Sequence, residues 1–138
     1  KMCKDKGFDA IEPDNLQNDE NVRSGVISRQ DQINFNSWLA DEAHALGLAI
    51  FQKNIPQYSL LTDSKGRRLV DQFDGILNEQ CGTYNTCSML GEYTKQNKTV
   101  LNIEYSTSVS LNCNYNSLRK DLYLVGGTSS NYRRESCP

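Results

Sequence analysis

Four acidic residues, Glu12, Asp14, Glu79 and Glu104, stand out by where they fall. They close short apolar runs, 8–11, 73–77 and 99–103, that have the make-up of buried strands. Side chains alternate along an extended chain, so Glu12 and Asp14 point to the same side. Carboxylates crowded at a strand end raise one another's proton affinity unless a cation or a ligand neutralises them. Two carboxyl groups, one holding its proton and one ionised, can do acid–base work on a bond placed between them. Asp14 and Glu79 are the expected catalytic pair. Asp14 is the candidate nucleophile or ionised base. Glu79 is the candidate general acid, because its strand is the more apolar setting and burial raises a carboxyl pKa.

Lys53, Asn54, Asn78, Asn102 and Tyr105 fall at the same kind of strand end and are expected to bind substrate, together with Glu12 and Glu104. For several of these an ordinary structural role stands beside the functional one. Glu12 could form a buried, orienting ion pair with Lys53 or touch substrate directly, and Lys53 would also favour an ionised Asp14. Strand-end asparagines can serve ligand hydroxyls or simply satisfy loop backbone. Glu104 stands either at the ligand or behind it. Tyr84 and Tyr105 offer flat faces for stacking, or pack at a rim. The single histidine, His44, lies in a helical stretch and is expected to be a surface or packing residue.

The scaffold that must position these groups alternates strands with helices. Residues 1–6 read as the end of a helix stopped by Gly7, and the polar stretch 16–27 as a long loop. Ser28 is a plausible N-cap with Asp31 three residues on. Between 30 and 46, Phe35, Leu39, Ala43 and Leu46 recur at helical spacing, and Gly47 ends the helix. A strand over 48–51 runs into Gln52-Lys53-Asn54, and Pro56 marks a turn. A short helix is expected within 62–72, with Leu69 and Val70 inward, and a helical turn within 88–96. Further on, 117–121 reads as helical, 122–125 as a last strand, and 128–138 as irregular. Such alternation predicts an α/β fold of parallel β/α units, in which ligands bind at the C-terminal ends of the strands.

The chain has 138 residues, a normal size for one domain covering 1–138. A net charge of −2, with basic residues dispersed, argues against nucleic acid or an anionic membrane surface as the partner. No apolar run approaches the ~20 residues of a membrane helix. The five cysteines, at 3, 81, 87, 113 and 137, make no CxxC pair, and with one histidine no zinc set is expected; nor is a cofactor. A disulfide could close the loop between Cys81 and Cys87, another could tie Cys113 to Cys137, and Cys3 is left over. The sequon Asn97-Lys98-Thr99 makes Asn97 a glycosylation candidate and, with the cysteine spacing, points to secretion into the extracellular space. The first residue is Lys1 rather than an initiator Met, so the start is expected to be cut and the lack of a visible leader is uninformative.

Several motifs together resemble glycoside hydrolase family 114. They are Gly7-Phe8-Asp9-Ala10-Ile11-Glu12-Pro13-Asp14-Asn15, Trp38-Leu39-Ala40-Asp41-Glu42-Ala43-His44, Lys53-Asn54, Phe73-Asp74, Asn78-Glu79-Gln80-Cys81 and Asn102-Ile103-Glu104-Tyr105. The resemblance runs over about 7–105 and implies a TIM-barrel fold and endo-α-1,4-polygalactosaminidase or α-galactosidase-like activity on an oligo- or polysaccharide. It points to the same pair, Asp14 and Glu79, and an acid-rich cleft would suit a positively charged amino sugar. A full (β/α)8 barrel takes ~250 residues, so the expected fold is its C-terminal half, with the N-terminal half as the missing partner. The main alternative is a truncated, non-catalytic carbohydrate-binding module of the same lineage. A lesser one is a metal-assisted hydrolase using Glu12, Asp14, Glu79 and Glu104.

Overall fold

The structure, a computed structural model, describes residues 1–137. Its described residues form a six-stranded sheet whose spatial order is the chain order: β1 (Ala10–Ile11), β2 (Ala49–Lys53), β3 (Gly75–Glu79), β4 (Thr99–Glu104), β5 (Asn116–Lys120) and β6 (Arg134–Ser136). Neighbours from β1 to β5 are parallel, and β6 returns antiparallel against β5. Parallel strands added one after another in one direction are the repeat from which a (β/α) barrel is built.

The helices are α1 (Met2–Asp5), α2 (Asn18–Asn21), α3 (Arg29–Ala45), α4 (Leu69–Gln72) and α5 (Gly91–Thr94). Helix α3 starts as its cap signals predict, with Ser28 and Asp31 in a reciprocal capping box. Its buried face is not the expected one. Ala43 is buried, but Phe35 and Leu46 are exposed, and the inward residues are Gln32, Ile33, Asn36, Ser37, Ala40 and Ala43. The polar members of that face are used: Gln32 Nε2 donates to Asn36 Oδ1 (2.8 Å), Asn36 Nδ2 to the Leu16 carbonyl (3.0 Å), and Gln72 Nε2 to Ser37 Oγ (3.0 Å). These bonds dock the 16–27 segment, which holds α2, and helix α4 onto α3.

Three expectations for the C-terminal part are overturned. Of residues 117–121, expected to be helical, 117–120 belong to strand β5, and the apolar run 122–125 is an exposed turn rather than a strand. The third is the irregular tail 128–138, whose described residues include strand β6. Pairing decides the first: Glu104 of β4 aligns with Arg119 of β5. Arg119 then donates to the Ser106 and Val109 carbonyls and to Glu135, which knits the 105–115 connection to β6. The short helix expected within 62–72 is Leu69–Gln72, with Leu69 and Val70 buried as expected. Thr62 bridges Arg68 in antiparallel fashion.

Strand alternation gives the sheet two unlike faces. Ile50, Gln52, Ile76, Asn78, Val100, Asn102 and Glu104 turn towards the helices and are buried. Phe51, Lys53, Leu77, Glu79, Leu101 and Ile103 turn the other way and are half-buried. The main core, including Ile33, Ala40, Leu69, Phe73, Tyr58 and Tyr93, sits on the helix side. Gly75 has a steric reason on the open side: a Cβ there would lie 2.5 Å from the Phe51 ring, which crosses over it. The disulfides Cys81–Cys87 and Cys113–Cys137 are both formed, and Cys3 is free and half-buried.

Candidate active site

At the C-terminal end of the sheet one lysine gathers three acids. Lys53, the last residue of β2, has a side chain only 12% exposed, and its ammonium lies 3.7 Å from Glu12 Oε1, 3.4 Å from Asp14 Oδ1 and 3.5 Å from Glu79 Oε2. Glu12 and Asp14 arrive from the end of β1 and Glu79 from β3, so the cluster spans three adjacent strands. Both members of the expected pair touch the same nitrogen. Their nearest oxygens are therefore at most ~7 Å apart, inside the span over which two carboxyl groups can flank a glycosidic bond.

Glu79 is the most tightly held of the three. Asn54 Nδ2 donates to its Oε2 (3.1 Å), Asn54 Oδ1 accepts from its backbone N–H (2.7 Å), and the Tyr105 hydroxyl donates to its Oε1. Burial alone would raise the Glu79 pKa, but the bonds from Tyr105 and Asn54 and the Lys53 ammonium outweigh it and hold the carboxyl below its usual range. This reverses the ionisation expected from an apolar strand. Glu12 goes the other way: burial raises its pKa, Lys53 only partly offsets that, and Asp14 adds to it. Burial also works against the charge of Lys53, yet Glu79, Glu12 and Asp14 together keep its pKa above normal. Burial, then Glu79, push the Tyr105 phenol up, so it stays a hydrogen-bond donor.

The strand ends thus sort the expected residues into two groups. Glu12, Asp14, Lys53, Asn54, Glu79 and Tyr105 meet on the open side. Asn78, Asn102 and Glu104 do not join them. All three are at most 2% exposed and face the helices, because they occupy the other parity of β3 and β4. Asn78 Nδ2 donates to Asn102 Oδ1 (3.2 Å) and Asn102 Nδ2 to Glu104 Oε1 (3.1 Å). Glu104 also accepts from the Gly82 N–H (2.7 Å) and Thr83 Oγ1 (3.1 Å). Direct sugar contact by Asn102 and Glu104 is corrected to a role beneath the site: with Asn78 they anchor the loop that follows β3.

Gln52 has a part in the site that strand-end reading passes over. Fully buried among apolar neighbours, it donates to the Asn54 (2.9 Å) and Ile55 (3.0 Å) carbonyls and accepts from the Tyr93 hydroxyl (2.8 Å). Asn54 and Ile55 both have left-handed backbone, φ 53° and 47°, a costly conformation for a β-branched residue. Gln52 holds that bend, and the bend sets Asn54 against Glu79. Its signal is a polar residue at the parity of Ile50. His44, in contrast, lies near the start of β3, where its Nε2 is 2.9 Å from Asp74 Oδ2, a carboxylate that also accepts from the Ile50 N–H (2.8 Å).

The family model described as glycoside-hydrolase family GH114 matches residues 1–135. The chain belongs to glycoside-hydrolase family GH114. Among solved structures it is similar to Aspergillus fumigatus Ega3 in complex with galactosamine, at 25% sequence identity and a TM-score of 0.76. That similarity covers 99% of this chain and 57% of the Ega3 chain, so this GH114 chain spans little more than half the length of that relative. No curated protein sequence matches it.

Proposed function

We propose that this GH114 chain carries the carboxyl pair of a glycoside hydrolase acting on α-linked galactosamine glycans, with Asp14 and Glu79 as the pair. The observation that carries this reading is the convergence of both carboxylates on the Lys53 ammonium. Glu79, held ionised by three donors, faces the positive charge that develops at the anomeric carbon. Asp14, the more exposed at 63% of its side chain, transfers the proton at the leaving oxygen. Lys53 and Asn54 position Glu79, and Tyr105 fixes its other oxygen. Carboxylates outnumber the ammonium three to one, so the cleft stays negative and favours a substrate bearing protonated amines. The galactosamine bound to Ega3 supports that choice of sugar.

Two disulfides and an exposed Asn97, in a turn before β4, support secretion and glycosylation. Among the described residues, no helix is long and apolar enough to cross a membrane.

The roles are tested with two substrates of one glycone, one whose leaving phenolate departs without a proton and one whose alcohol needs it. Asp14→Asn is expected to keep most of its rate on the first and lose it on the second, while Glu79→Gln loses rate on both. The opposite pattern would return the acid role to Glu79.

A further inference from the structure

Beside the acid cluster lies a cavity of about 360 Å³, within the ~300–1,000 Å³ of small-ligand sites. It shares Glu79 with the cluster but includes none of Glu12, Asp14 or Lys53. Asn54 and Gln57 line it from the loop after β2, and Gln80, Tyr84 and Thr86 from the loop after β3. Ile55, Pro56 and Asn78 complete the lining, so apart from Glu79 it offers amides, hydroxyls, one aromatic ring and two apolar side chains. That is a lining for neutral hydroxyl groups rather than for charge.

The walls are rigid. Cys81–Cys87 closes the second loop, Glu104 holds Gly82 and Thr83 from below, and Tyr115 donates to the Cys87 carbonyl (2.8 Å). The loop also sits close to its neighbours at Gly82, where a Cβ would lie 2.9 Å from Val109 Cγ1 and 3.1 Å from Glu104 Oε1, so a side chain there would force a shift. Three residues lining the cavity, Asn54, Ile55 and Gln80, have positive φ without being glycine. Strain of that kind persists only where surrounding contacts over-determine it: Gln52 holds the bend at Asn54 and Ile55, and the disulfide and Glu104 hold the loop that follows Gln80. All this order presents one side chain that packs on little: Tyr84 is 67% exposed. An exposed aromatic on a braced loop, at the mouth of a polar cavity, is a surface kept for a ligand's flat face.

Resting on the hydrolase reading above, we infer that this cavity is a second sugar subsite. It takes the hexose unit next to the one seated at the acid cluster, with the ring face on Tyr84 and the hydroxyls on Asn54, Gln57 and Gln80. Recognition is then by shape and neutral hydrogen bonds on this side of Glu79 and by charge on the other. The site holds at least two consecutive units of a chain, and its affinity grows with chain length.

The test is calorimetric binding of galactosamine and of its α-1,4-linked dimer and trimer, in an Asp14→Asn background so that turnover does not deplete them. Lengthening the sugar is expected to tighten binding about tenfold. Adding Tyr84→Ala should erase that gain while leaving monomer affinity unchanged, and Tyr84→Phe should keep it. Tyr84 is exposed, so neither change threatens folding. A length gain that survives Tyr84→Ala, or a monomer affinity that falls equally, would overturn the subsite alone. Failure of every sugar to bind would overturn both the subsite and the hydrolase reading.

Discussion

Glu79 and Glu104 close neighbouring strands of one sheet, and each has both carboxylate oxygens engaged. Their surroundings nevertheless assign them opposite work. Glu79 pairs in register with Ile103, so it shares the open face with Lys53 and takes its bonds from side chains at the mouth. Glu104 falls one residue further along β4 and turns to the helices, where it is 1% exposed and has no cation among its bonded partners. A single step along a strand thus separates an acid poised to meet substrate from one that braces the loop around it. Residue type does not distinguish them; register does.

Substituting each in turn should separate the two roles. Glu79→Gln is expected to lower the hydrolysis rate by about 10³-fold, the scale of a lost catalytic carboxyl, with an unchanged thermal midpoint. Glu104→Ala leaves the Gly82 N–H, Thr83 hydroxyl and Asn102 amide without their buried acceptor. It should cost about 3 kcal/mol of stability and lower the midpoint by roughly 10 °C. Limited proteolysis should then cut within 81–87. Equal thermal loss in the two variants would remove the distinction.

A smaller effect sharpens the electrostatic side. Glu79 has a depressed pKa, so its working ionised form exists above that pKa and is lost as pH falls through it. Lys53→Met removes one of the groups that depress it. The acidic limb of the pH–rate profile should therefore move to higher pH. A limb that stays in place would show that Tyr105 and Asn54 alone hold the charge.

The smallest effect belongs to Glu12. Its pKa is raised, so in the fold its ionised form is disfavoured: its contribution is fully present below the ordinary carboxyl pKa and is lost as pH rises through the raised one. Glu12→Gln should raise the thermal midpoint at neutral pH, with the difference vanishing as pH falls below ~4.3. A lower midpoint at neutral pH would mean that the Lys53 contact outweighs burial.

What could be read from sequence follows how local each signal is. The Ser28–Asp31 cap and the apolar runs of β2, β3 and β4 lie within a few residues, and the elements form close to where those signals stand. Strand β5 is polar, Asn116 to Lys120, and becomes a strand only because β4 and β6 pair with it. The apolar run 122–125 has nothing to pack on and is closed instead by Asp121, which accepts the Val125 N–H. Strand-end position brings Glu12, Asp14, Lys53, Asn54, Glu79 and Tyr105 together, but by itself it also gathers Asn78, Asn102 and Glu104, which parity sends to the other face. The ionisation of Glu79 depends on donors from β2 and the end of β4, and nothing in its own strand announces them.

The central claim is that the two carboxyl groups meeting at Lys53 cleave a glycosidic bond. The direct measurement is release of reducing ends from α-1,4-linked galactosamine oligomers by the protein and by its Asp14→Asn and Glu79→Gln variants, with oligomer binding followed alongside. The expected result is cleavage by the parent protein alone and binding by all three. Cleavage that persists within tenfold in either variant, or binding by the parent protein with no reducing ends released, would contradict it.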